Sequence, residues 1–122
     1  MMGGMERLQD QLAEAVAAQV EGRRRGPLPE AGRALWDAFC ELAEARAYDG
    51  GDPQPIGFAE IEAWARLMRW PLEPAHVRIL RAMDRAWRDA AKTRRAAGGG
   101  KGRELQRPVG TLTPEVFDAV IR

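Results

Sequence analysis

The chain has 122 residues, with 19 Lys plus Arg against 18 Asp plus Glu and a formal net charge of +1. That length fits one domain with ends to spare, and so even a balance gives no global pull toward a polyanion; only the distribution of charge could supply one. The sequence holds no Ser and no Asn, and a single His and a single Cys, so a Ser-His-Asp triad, an internal disulfide and a zinc site of several Cys and His are excluded within one chain.

Residues 5–21, MERLQDQLAEAVAAQVE, predict a first helix: Met5, Leu8, Leu12, Val16 and Val20 recur every three or four positions as a narrow apolar stripe. So narrow a stripe cannot hold a helix alone. It must dock on the domain, pair with a copy of itself, or fray. GRRRGPLP ends it with Gly22, Gly26, Pro27 and Pro29. Residues 29–48 predict a second helix, with Leu35, Trp36, Phe39, Leu42 and Ala43 on one face and Asp37, Glu41 and Glu44 off it. DGGDPQPIG reads as a loop.

A third helix is predicted over 58–70, with Phe58, Ile61, Trp64, Ala65 and Met68 inward and Gly57 at the N-cap position. Pro71 closes it. A fourth begins with Pro74 in the first-turn slot and runs to about Arg94, with Val77, Leu80, Met83, Trp87 and Ala91 on its apolar face. AAGGGKGRELQRP then predicts a flexible linker. In TLTPEVFDAVIR, Thr113, Pro114 and Glu115 give a helix-start signal, followed by Phe117, Val120 and Ile121 at helical spacing. No segment alternates long enough to predict a strand.

The expected fold is therefore all-α: a small bundle with a three-helix core, an extra N-terminal helix, and a short C-terminal helix on a Gly-rich linker. The expected divisions are 1–27 for the leading helix and basic linker, 28–95 for the core, 96–110 for the linker and 111–122 for the terminal tail. Trp36, Phe39, Trp64 and Trp87 are the expected structural anchors, and Phe58 is also expected to point inward. No apolar run is long enough to span a membrane, the first residues carry no apolar signal segment, and one cysteine suits a reducing compartment.

Arg78, Arg81, Arg85, Arg88 and Lys92 fall within an arc of about 80° on the fourth helix. Three uses fit such a stripe: a solvated face, nucleic acid, or a protein partner. The third helix, the WPLEP turn and the basic fourth helix have a helix-turn-helix outline. Against it, the helix lacks Asn, Ser and Gln to read bases, and opens on Ala75 and Val77 where base contacts would fall. Asp84 breaks the pattern, phasing into the edge of the apolar arc. A half-buried carboxylate needs a partner, and the candidates are Arg81, Arg88, Arg66 and Arg69. Asp84 is thus expected to pin the third helix to the fourth.

Catalytic signals are weak throughout. Cys40 and His76 are the only possible Cys-His pair, and read instead as a core-edge residue and a helix-start residue. GGGKG at 98–102 lacks the Ser or Thr and the preceding strand of a phosphate loop. No catalytic residue, cofactor or metal is expected.

LPEAGRALWDAF and PIGFAEIEAWARLMRWPLEPAHVRILRAMDRAW resemble the small tail assembly chaperones of long-tailed bacteriophages and prophages, and LTPEVFDAVI is similar to the ending of that group. The similarity covers roughly 28–91 and 111–121 and leaves out the leading helix and the glycine linker. It implies a chain without catalysis that coats the tape measure protein, helps bring tail tube subunits to it, acts in the host bacterial cytoplasm and is absent from the mature virion. Partner contacts are then expected at Arg78, Arg81, Arg85 and Arg88 and at Phe117, Val120 and Ile121, with the terminal segment's folding back on its own core as the equal alternative, self-association possible and neither nucleic acid nor membrane as a partner. A helix-turn-helix DNA-binding protein and a small phage inhibitor of a host system are the alternatives.

Overall fold

Four stretches with apolar residues at helical spacing become four α-helices in the computed structural model, which describes residues 2–98. They are α1 (Met2–Glu21), α2 (Arg33–Glu44), α3 (Phe58–Leu67) and α4 (Pro74–Ala97), with a 3-10 turn at Glu30–Gly32 leading into α2. The predicted terminal helix, with Phe117, Val120 and Ile121, and all but the start of the predicted linker lie outside the described residues.

The stripe on α1 docks on the domain. Leu8, Leu12, Val16 and Val20 are buried in one cluster with Leu35, Trp36 and Phe39 of α2 and Ile79, Leu80, Met83 and Trp87 of α4. The contact of α1 with α4 is the most extensive between any two elements. The leading helix is thus a full member of the core, where the sequence suggested an addition to three others. This also explains why the buried arc of α4 is broader than expected: Ile79 and Ala90 are buried, extending the arc beyond Leu80 and Trp87. Burying each of the larger side chains contributes about 1.5–3 kcal/mol.

Two close approaches fix α1. A Cβ added at Gly32 would lie 2.9 Å from Leu12 Cδ2 and 3.2 Å from Leu8 Cδ1, so any larger residue there must displace the leucines of α1 that the turn before α2 packs against. At the other end, Arg94 of α4 donates to the Val20 carbonyl. A cation there satisfies a carbonyl that the helix end leaves without a partner and offsets the partial negative charge of that end.

The structure revises the predicted boundaries. α2 ends at Glu44 rather than near residue 48, because Arg46 turns into the core. A small antiparallel hairpin follows, Tyr48–Asp49 (β1) with Asp52–Pro53 (β2), so the chain is mostly helical rather than purely so. Its loop, Gly50-Gly51, has φ of +60° and +91°; glycine accepts this at both central positions of a two-residue hairpin turn. α3 ends at Leu67, short of residue 70. Arg69 enters the left-handed region at φ 58°, and Trp70 N–H donates to the Ala65 carbonyl at 2.8 Å, which closes the helix as a Schellman turn. α4 continues to Ala97, past the expected stop near Arg94 and into the predicted linker.

Two helix starts match the sequence reading. Gly57 is the N-cap of α3, where Glu60 Oε1 accepts from the Gly57 N–H at 2.9 Å. Pro74 opens α4. There His76 Nδ1 accepts from the Glu73 N–H at 3.1 Å, so the single histidine caps a helix.

Candidate partner-binding surface

The site begins with a buried charge. Asp84 is 1% exposed, and it brings three segments together. Its Oδ1 lies 2.6 Å from Arg46 Nη2, its Oδ2 accepts from Arg88 Nε at 3.0 Å, and Oδ2 also accepts from the Ile56 N–H at 3.1 Å. Arg46 is held further by donating to the Gln54 carbonyl and by lying over the Trp87 ring, 4.1 Å from its centroid. The 2.6 Å approach is a charge contact rather than an aligned hydrogen bond, and Arg46 Nε and Trp87 Nε1 are buried without a hydrogen-bond partner among the described residues.

Asp84 therefore does not grip α3 through Arg66 or Arg69, as the sequence suggested. It holds α4 to the end of α2 through Arg46, and to the segment entering α3 through Ile56. Of its two predicted partners on α4, Arg88 serves and Arg81 does not. Arg81 stacks on Phe58 instead, 4.3 Å from the ring centroid.

This divides the predicted basic stripe. Arg88 is committed inward to Asp84 and Arg81 lies over an aromatic ring. Arg78, Arg85 and Lys92 are exposed, and none makes an ion pair among the described residues. The outcome is a ridge of exposed cations on a helix whose opposite side is clamped into the core. Phe58 extends it as an apolar step: expected inside, it is 63% exposed, because the first residue of α3 overhangs the core edge at Arg81. Trp36, Phe39 and Trp87 are buried as expected, whereas Trp64 is only half-buried and donates its indole N–H to Glu41 at 2.9 Å.

Beyond the ridge, α3 carries a second exposed apolar group. Leu67 is 77% and Met68 53% exposed, next to half-buried Trp64 and Trp70, whose rings meet edge-on at 5.3 Å. Of all residues in α3, only Ile61 is buried. The sequence reading missed Arg46 and Leu67. The signal for Arg46 was faint: an arginine just beyond the apolar stripe of α2, near the hairpin glycines.

The geometry offers little to duplex DNA. Ala75, His76 and Val77, which open α4, are all part-buried, and the histidine ring is already used on Glu73. No helix among the described residues is long and apolar enough to cross a membrane, and no group of His, Cys, Asp or Glu among them is placed to hold a metal ion.

No curated protein and no solved structure matches the chain. A family profile does, that of the phage tail assembly chaperone, over residues 6–89. The match takes in α1, which the resemblance had left out, and stops before 111–121. A profile matched over residues 6–89, more than half of a mostly helical chain, places this protein in the phage tail assembly chaperone family.

Proposed function

We propose that the chain binds the tape measure protein and helps bring tail tube subunits to it, by contact alone and without chemistry of its own. The observation that carries this reading is the ridge of Arg78, Arg85 and Lys92 beside the exposed Phe58 ring. Exposed cations with no ion pair among the described residues, next to an apolar step, suit a helical client with acids flanking an apolar stripe. The rigid backing matters, because side chains on a clamped helix lose less freedom when they bind. The setting is the host bacterial cytoplasm, before the virion is complete.

The test is co-expression with the neighbouring tail genes followed by a pull-down. The tape measure protein should be retained and kept soluble, and Arg78→Glu with Arg85→Glu should release it. Failure of the wild-type chain to retain or solubilise any tail protein would overturn the proposal.

A further inference from the structure

The apolar group at the end of α3 is separate from the ridge, and the ridge does not explain it. Leu67 and Met68 lie three and four positions after Trp64, so the three side chains neighbour one another on the helix, and Trp70 joins them through its ring contact with Trp64. Arg66 and Arg69 stand beside them, exposed and without an ion pair among the described residues. The patch is thus apolar with a cationic rim.

The chain itself contains a segment of the complementary kind. Residues 111–122, TLTPEVFDAVIR, set Phe117, Val120 and Ile121 beside Glu115 and Asp118. The two acids are spaced i, i+3, as are Arg66 and Arg69. We propose that the Trp64, Leu67, Met68 and Trp70 patch seats residues 111–122 of a second copy of this chain, with Glu115 and Asp118 against Arg66 and Arg69.

Reach decides between another copy and the same one. The patch lies at the start of α4, because Trp70 is 6.3 Å from the His76 ring. The described chain leaves at Gly98, at the far end of that helix, about 36 Å away at 1.5 Å per residue. Residues 99–110 span at most roughly 40 Å fully drawn out, and an unstructured chain of that length averages about 20 Å between its ends. Docking in the same molecule would need a connection stretched well beyond its average span. A neighbour's patch imposes no such limit. Because the patch and the segment are different surfaces, the contact is head-to-tail, and such contacts propagate into open arrays unless the rotation closes a ring.

The experiment is sedimentation of the purified full chain, with no client present, so that its result is independent of tape measure binding. The wild-type mass should rise with concentration beyond a dimer. Leu67→Asp with Met68→Asp, and separately Phe117→Asp with Ile121→Asp, should each weaken association at least tenfold. Mixed together, the two variants should recover a dimer and nothing larger, since each retains one of the two surfaces. Should either variant misfold, the charges give a second route: Arg66→Glu with Arg69→Glu should weaken association about tenfold, and adding Glu115→Lys with Asp118→Lys should restore it to within about threefold. A wild-type chain that stays monomeric at millimolar concentration, variants that associate like wild type, or a mixture that stays monomeric would overturn the proposal.

Discussion

Asp84 and Arg46 form an ion pair inside the protein, 2.6 Å apart, with side-chain exposures of 2% and 1% respectively. The residues are far apart in sequence, and their meeting decides where α2 must stop. Arg46 cannot continue the helix and reach Asp84, so the chain turns, builds the hairpin and returns through Ile56, whose N–H the same carboxylate accepts.

A buried pair of this kind is costly to break from one side. Asp84→Ala strands the Arg46 charge and removes the acceptor of the Ile56 N–H. We expect Asp84→Ala and Arg46→Met each to cost about 3–5 kcal/mol. The double variant should cost clearly less than the sum, since no lone charge then remains inside. Equilibrium urea unfolding followed by tryptophan emission measures all three. A loss below about 1 kcal/mol for Asp84→Ala would show that water reaches the site.

Gly32 should resist even a small addition. In Gly32→Val the new side chain meets Leu12, which is 0% exposed and has nowhere to move. The expected cost is about 1–3 kcal/mol, which lowers the melting temperature of a domain this size by roughly 4–8 °C per kcal/mol. Circular dichroism during heating reads it directly. A melting point equal to wild type would mean that α1 sits farther from the turn than 2.9 Å implies.

Arg69 should respond in the opposite direction. Its φ of 58° costs an L-residue about 1 kcal/mol that glycine does not incur. Arg69→Gly should therefore raise stability by roughly 0.5–1 kcal/mol in urea, with the Schellman turn retained. Destabilisation instead would assign the arginine side chain a stabilising contact.

The ridge predicts a separation of binding from folding. Arg78→Glu with Arg85→Glu should reduce retention of the tape measure protein at least tenfold while changing stability by no more than about 0.5 kcal/mol, because both side chains are exposed and make no ion pair among the described residues. Fluorescence anisotropy with a duplex oligonucleotide at physiological salt serves as the control, and no binding is expected. Tight, steeply salt-dependent DNA binding that this double change abolished would restore the nucleic-acid reading.

Much of the helical layout was legible because each helix carries its own periodic stripe, and α1 to α4 all begin within a few residues of where the stripes do. Asp84 stood out for the same reason: a carboxylate at the edge of an apolar arc conflicts with its neighbours. Its partner on its own helix, Arg88, was legible from the i, i+4 spacing, but its buried partner was not. Arg46 lies past the last apolar residue of α2, where phase no longer says which way a side chain points, and 38 positions before Asp84. Phe58 was misread because periodicity gives direction but not whether anything lies there, and α3 starts beyond the rim of the core. The hairpin went unseen since strands of two residues are too short to alternate, although a glycine pair between aspartates is the chemistry its turn requires. The exposed patch at Leu67 and Met68 could be found only from the structure, because it depends on where α2 and α4 stop covering α3.

The docking of α1 has a practical corollary for anyone shortening this molecule. A version begun at residue 28 would strip one wall from the interior and show water the oily flank of α4, including Ile79 and Ala90. Such a fragment would clump in the test tube, and a screen for minimal binders would mistake that stickiness for affinity.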